Sequence, residues 1–321
     1  MNEIDLLARL IPSLATNKSV VVGAGDDCAV LDLGLANQFL LFKTDAVVEG
    51  VHFTNTANPE KIGHKALARC LSDVAAMAGT PTHALVTLGL PMQFEVGFVE
   101  AIYRGLNGLA AQYQVAVVGG ETTTNPERMF VSISVLGTVP RKKCVLRSGA
   151  KVGDGIFVTG SLGGSLQGKH LHFEPRLIEA RWLAEHFDLH AMLDVSDGLA
   201  TDLRHLLKAS KVGAELLAPA IPISRVARVA GREFVDGEKV SAARVQTRKS
   251  PLQGALTDGE DFELLFTLAS RDAVPLIDAW KKRFPELALS CIGKITAGPG
   301  LYIRDKGGRR ALTEHGYVHF S

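Results

Sequence analysis

An α/β (α+β) chain of two domains is the fold class this sequence predicts, and three observations predict it. Helical and strand-like periodicities alternate along the chain, its 321 residues suit about two domains, and a polar, glycine-bearing stretch without periodicity interrupts it near the middle. That stretch runs from Arg141-Lys142-Lys143 into residues 147–155 (RSGAKVGDG). It divides the chain into an expected N-terminal domain, 1–140, and a C-terminal domain, 141–321.

In the first half, residues 3–14 (EIDLLARLIPSL) carry apolar side chains at helical spacing. Residues 59–78 repeat the pattern through Ile62, Leu67, Leu71, Val74 and Met77, so both segments read as amphipathic helices. Short β-rich runs stand at 20–22, 38–42, 84–90, 115–118 and 129–139, with a helix-like stretch at 95–112 among them. In the second half, strand-like 156–159, a helix near 174–187, a helix from Leu199 to Ser210, strand-like 262–268 and helix-like 272–284 outline another α/β unit.

Composition narrows the function classes. Lys plus Arg (35) nearly balance Asp plus Glu (34), so no net basic field exists to attract nucleic acid or an anionic membrane, and a small-molecule partner is expected. Cys28, Cys70, Cys144 and Cys291 lie far apart with no C-x-x-C pair, and read as reduced thiols. The N-terminal residues lack a positive flank and an apolar stretch of signal length, and no run of about 18 apolar residues occurs, so a cytoplasmic location is expected.

The informative feature is the placing of the carboxylates. Five times an apolar strand-like run adjoins an expected turn holding an acid, usually with Gly or a hydroxyl beside it: Gly23-Ala24-Gly25-Asp26-Asp27, Thr44-Asp45, Gly119-Gly120-Glu121-Thr122-Thr123, Asp194-Val195-Ser196-Asp197-Gly198 and Asp258-Gly259-Glu260-Asp261. Asp and Gly are ordinary turn residues, so each segment alone is explained by turn chemistry. Their recurrence is not, because open α/β sheets build sites at strand ends and converging carboxylates repel unless cations neutralise them. Hard oxygen donors select Mg²⁺, which shares itself between carboxylates and substrate phosphates, as in ATP-using sites. Asp73, on the 59–78 helix beside Leu71 and Val74, is a further candidate ligand.

Two other patterns carry less. Residues 163–170 (GGSLQGKH) match the G-x-x-x-x-G-K phosphate loop but put His where the magnesium-binding hydroxyl belongs, and that reading would leave the acids of the first half unexplained. His170 and His172 could suggest zinc, but no third ligand stands at useful spacing, and a surface loop is the expected reading.

The chain resembles thiamine-monophosphate kinases over nearly its whole length. The match runs from GAGDDCAVL through TDAVVEGVHF, KALARCLSDVAAMAGTP, VVGGETT, VLRSGAKVGDGIFVTGSLG and DVSDGLATDL to LTDGEDFELLFT and GYVHF. The resemblance implies an aminoimidazole ribonucleotide synthetase-like fold. In it, an N-terminal four-stranded sheet with helices pairs in a homodimer, and a C-terminal α/β domain closes the site. It implies transfer of the γ-phosphoryl group of ATP to thiamine monophosphate, the last step of thiamine diphosphate biosynthesis, with several Mg²⁺ ions and no protein nucleophile. It implies that Asp27, Thr44, Asp45, Asp73, Glu121, Asp194 and Asp197 contact magnesium, and that Tyr103, Gly119, Gly120, Arg147 and Ser196 serve ATP. His52, Glu260 and Tyr317 would lie against thiamine phosphate. Two positions depart from the family pattern: Glu121 stands where a shorter Asp is expected, and Lys43 precedes Thr44 where many members have Ser. Two alternatives stay open, a related ATP-dependent synthetase with another acceptor and an inactive nucleotide-binding homologue.

Overall fold

The computed structural model describes residues 3–230, 249–318 and 320. Along the chain lie α1 (Glu3–Leu10), β1 (Val20–Val22), β2 (Ala29–Leu31), β3 (Gln38–Val48), α2 (Pro59–Ala76), β4 (Thr80–Leu90), α3 (Val96–Gln112), β5 (Ala116–Thr124) and β6 (Phe130–Pro140). There follow β7 (Asp154–Thr159), α4 (Leu177–His186), β8 (Leu189–Asp194), α5 (Leu199–Ser210), β9 (Gly213–Leu217) and α6 (Arg225–Ala230). The chain closes with α7 (Pro251–Thr257), β10 (Leu264–Ala269), α8 (Ala273–Arg283), β11 (Leu289–Thr296), β12 (Leu301–Asp305) and β13 (Gly308–Ala311). Among the described residues no helix is long and apolar enough to cross a membrane.

Two compact units result. One holds Ser13–Leu146 and also His170–His186; the other holds the chain up to Pro12, Arg147–Lys169 and everything from Phe187 on. They are called the N-terminal and C-terminal units below.

The N-terminal unit is built on a six-stranded sheet of order β1-β2-β3-β6-β4-β5, two strands more than the expected four because the three-residue strands β1 and β2 extend one edge. Only β4 and β5 are parallel, joined by α3 as a parallel crossover requires. Helix α2 begins where it should: Asn58 accepts from the Glu60 amide at 2.9 Å, and Pro59 occupies the first turn, where no amide hydrogen is needed. Its apolar positions Ile62, Leu67, Leu71 and Val74 are fully buried. One strip of the sheet stays uncovered: Phe42, Leu85 and Val118 are exposed, although Leu85 sits between buried Ala84 and Val86.

The C-terminal unit is a seven-stranded sheet of order β13-β12-β9-β11-β7-β10-β8, antiparallel except for β12 beside β9. Its core runs through Ile156, Val158, Leu193, Leu203, Leu206, Leu265 and Ile295, and so joins four adjacent strands, β11, β7, β10 and β8, to α5. Strands β7 and β10 are buried along nearly their whole length, which is why they read in sequence as continuous apolar runs.

Candidate active site

In the N-terminal unit, β3 does not stop after Phe42. It continues to Val48 in unbroken register with β6, so Thr44-Asp45 is mid-strand and not a turn. Pleating then separates the two side chains. Lys43 and Asp45 share the face of Leu41 and Val47, whereas Thr44 leaves the opposite face, where its hydroxyl donates to the Ile133 carbonyl at 3.2 Å and accepts from Ser134 Oγ at 3.1 Å.

The Lys43 face of β3 lies against α2, which carries the partners. Lys43 Nζ sits 3.1 Å from Asp73 Oδ2, and Arg69 Nε sits 3.2 Å from Asp45 Oδ2. Asp27 and Asp73 are buried, and both raise the affinity of the Cys28 thiol for its proton. Burial is the larger cause at Cys28 and also at Cys70, where Asp45 and Asp73 add to it. Both thiols are therefore held neutral, and neither is a nucleophile.

Strand β5 likewise runs through Gly119-Gly120-Glu121, where a turn was expected. Gly120 is required there, because a Cβ would overlap the Val86 carbonyl of the neighbouring strand. Glu121 is exposed and accepts from the Thr122 amide at 3.2 Å, and Tyr103 lies half-buried on α3. These residues, with Thr44, stand outside the Lys43–Asp73 and Arg69–Asp45 pairs.

His52 is fixed from both sides. Its Nδ1 accepts from the Val48 amide at 3.1 Å, which assigns the proton of the neutral ring to Nε2, and its carbonyl accepts from Lys65 Nζ at 2.8 Å. Lys65 is wholly buried and also donates to His170 Nδ1 at 2.8 Å. Sequence reasoning missed Lys65, since a lysine on a helix reads as solvated. His170, expected in a surface loop, is instead the acceptor that holds this lysine.

The C-terminal unit gathers three separated motifs by backbone hydrogen bonds. Strand β8 ends at Asp194 opposite Leu264 of β10, and the turn that follows is bound to residues 260–263. The Val195 amide donates to Glu263, the Phe262 amide to Val195, and the Glu260 amide to Ser196 at 2.6 Å. The Tyr317 amide donates to the Asp197 carbonyl at 2.9 Å. Ser196, Asp197, Glu260 and Tyr317 thus share one scaffold. Glu260 and Phe262 hold φ of 52° and 50°, strained for residues with side chains, and Gly259 at +74° could bear no Cβ beside the Ser196 carbonyl.

Beneath this turn lies Asp202, a residue that sequence reasoning passed over. It is buried in the first turn of α5, and its Oδ2 accepts from the amides of Asp197 and Gly198, each at 3.0 Å. Burial first, then the charges of Asp197 and Asp194, push its carboxyl well above the ordinary aspartate range, against the opposing pull of Arg147. An acid three residues into a helix, just after an S-D-G turn, was the available signal.

The phosphate-loop pattern has a structural explanation. Residues 165–167 form one turn of 3-10 helix, and a second 3-10 turn at Lys169–Leu171 stands where the phosphate loop would open an α-helix. The Gly163 amide points at both carboxylate oxygens of Asp261, 3.0 Å from each, Ser165 Oγ donates to Oδ1 of the same group, and the Gly164 amide donates to Asp258 at 2.9 Å. Lys169 is held by Glu263 at 2.8 Å, and Glu263 also accepts from Thr159 at 2.8 Å. These glycine amides and this lysine serve the protein's own acids. Burial, the largest influence on Asp261, lifts its carboxyl to about 6.

The donor sets fit magnesium by their chemistry. Asp27, Asp45 and Asp73 in one unit and Asp194 and Asp197 in the other offer carboxylate oxygens, the hard donors that magnesium takes.

Comparison with known proteins agrees with this chemistry. Residues 25–139 match the family model described as AIR synthase related protein, N-terminal domain. A thiamine-monophosphate kinase of Rhodopirellula baltica is 38% identical over 308 residues, covering 94% of this chain and 92% of the relative. A solved structure of AaThiL complexed with AMPPCP and TMP superposes with a TM-score of 0.81 at 30% identity, over 99% of this chain and 97% of that one. The thiamine-monophosphate kinase of Stenotrophomonas maltophilia K279a does so at 0.72 and 31%, over 94% and 96%. Both units thus follow the two-domain AIR synthase-like fold, and the chain belongs to the thiamine-monophosphate kinase family.

Proposed function

We propose that this protein transfers the γ-phosphoryl group of ATP to thiamine monophosphate, giving thiamine diphosphate and ADP, in the last step of thiamine diphosphate biosynthesis in the cytoplasm. The observation that carries this reading is the joining of Ser196 and Asp197, assigned to nucleotide and metal, to Glu260 and Tyr317, assigned to the acceptor, through main-chain bonds. A relative complexed with AMPPCP and TMP supports the pairing of the two ligands.

In this reading Asp27, Thr44, Asp45, Asp73, Glu121, Asp194 and Asp197 hold Mg²⁺, and Tyr103, Gly119, Gly120, Arg147 and Ser196 hold ATP. Residues 1–140 carry most ATP and metal contacts, and 141–321 complete the site. Bound magnesium would neutralise the charge of the phosphates. A terminal oxygen of thiamine phosphate bonds to the γ-phosphorus as the bond to ADP breaks, with no protein nucleophile and no general base, since the acceptor phosphate is already largely ionised. The chain's own contribution is positioning and fixed charge. His52 Nε2–H donates to the acceptor, and Arg147 clamps phosphate oxygens. Tyr317 covers the thiamine ring, and the Glu260 carboxylate offsets the ring's positive charge.

We also propose a homodimer through the N-terminal sheet, supported by exposed Phe42, Leu85 and Val118. Light scattering at micromolar concentration is expected to give twice the 34.3 kDa chain mass, falling to the monomer in Leu85→Glu. ADP release measured with thiamine phosphate against aminoimidazole precursors and selenide tests the acceptor. Release confined to thiamine phosphate supports the reading, and equal or greater release with another acceptor refutes it.

A further inference from the structure

The cation at position 43 has a use that the kinase reading does not assign. Lys43 reaches from β3 to Asp73 on α2 at 3.1 Å, and both side chains are largely withdrawn from water, with 24% and 10% of their surface exposed. Asp45, two residues on and on the same strand face, is matched by Arg69 at 3.2 Å. Asp45 and Asp73 are therefore each matched by a cation of the chain itself. Without Lys43 the Asp73 carboxylate would lose this cation in a partly buried setting, where an uncompensated charge is costly.

We infer that Lys43 is a tethered cation that takes the place of one divalent ion at Asp73. The inference rests on the proposed magnesium-dependent function and deepens it. A flexible side chain bearing a compact ammonium at hydrogen-bond distance supplies the charge and the donor that Asp73 would otherwise obtain from a hydrated ion. Because it is covalently attached it needs no ion from solution. The acid set of this unit is accordingly part-neutralised before any metal or nucleotide binds.

Mn²⁺ binding to the nucleotide-free full chain, counted by electron paramagnetic resonance, tests this in the wild type, Lys43→Ser and Lys43→Arg. Lys43→Met reads the same quantity if the serine variant does not stay folded. The expected result is one additional Mn²⁺ per chain in Lys43→Ser or Lys43→Met, and the wild-type count in Lys43→Arg, which keeps a cation. In EDTA the charge-removing variant should melt below the wild type and recover on adding Mg²⁺. An equal Mn²⁺ count in wild type and in the charge-removing variants overturns the inference and leaves the kinase reading standing. Absence of Mn²⁺ binding in every protein also overturns the inference, while the kinase reading, in which the ions are shared with the ATP phosphates, is tested apart by product formation.

Discussion

The two units solve one problem, keeping acids together, in different ways. In the N-terminal unit Asp45 and Asp73 stand on regular elements, a strand and a helix, and are balanced by side-chain cations: Lys43 against Asp73 and Arg69 against Asp45. In the C-terminal unit Asp194 and Asp197 stand at a strand end and in the turn after it, and buried Asp202 holds that turn from below by accepting from the Asp197 and Gly198 amides. The difference teaches that the first set is rigid by secondary structure and responds to charge removal. The second is rigid by hydrogen bonding and responds to loss of an acceptor.

The largest effect should come from removing a carboxylate from either set. Asp45→Asn and Asp194→Asn are each expected to lower turnover about 10²- to 10³-fold in a coupled ADP assay, while circular dichroism stays that of the wild type. Near-normal turnover in both would remove the site.

Next comes the support of the C-terminal turn. Asp202→Ala strands the amides of Asp197 and Gly198 in a buried place and should cost about 2–4 kcal/mol in urea unfolding. Asp202→Asn keeps an acceptor oxygen and should cost under about 1 kcal/mol. Equal losses would mean that the charge, and not the acceptor, matters there.

The Asp261 anchor of residues 163–165 gives a pH test. Its carboxyl titrates near 6 in the folded chain against 3.8 as the reference, so the folded state binds the proton more tightly. The stability it contributes is full below pH 3.8 and is lost as pH rises through 6, by at most about 3 kcal/mol. Asp261→Asn should flatten that part of the profile of unfolding free energy against pH, and an unchanged slope would reject the assignment.

The smallest effect is expected at Thr44, which leaves β3 on the face away from Lys43 and Asp45. Thr44→Val should reduce turnover by about tenfold, the scale of one lost neutral hydrogen bond. A loss matching that of Asp45→Asn would contradict this separation of the strand's two faces.

Most elements were legible where a single periodicity was strong. Helix α2 showed its apolar stripe and its Asn-Pro start, and β6 its alternation. The ends of β3 and β5 were not legible, because Thr44-Asp45 and Gly119-Gly120 carry turn chemistry, and only pairing with β6 and β4 keeps them extended. Tertiary pairing overrode local preference there. Strand β11 (LSCIGKIT) lacks alternation and was missed. The β12–β13 hairpin turns at Lys306-Gly307, a pair that favours a turn in sequence as well. At the site, the motif acids could be read from their recurrence and Asp202 from its place just after the S-D-G turn, whereas Lys65 could not, since nothing local distinguishes a buried helical charge from a solvated one. The role of Asp258 and Asp261 as anchors of the 163–165 loop likewise needed the fold.

The most direct test of the kinase reading is the formation of thiamine diphosphate by the purified chain, followed by chromatography with ATP and thiamine monophosphate in Mg²⁺ or in EDTA. The account predicts one thiamine diphosphate per ADP in Mg²⁺ and none in EDTA. ADP without thiamine diphosphate, or thiamine diphosphate formed equally in EDTA, would contradict it.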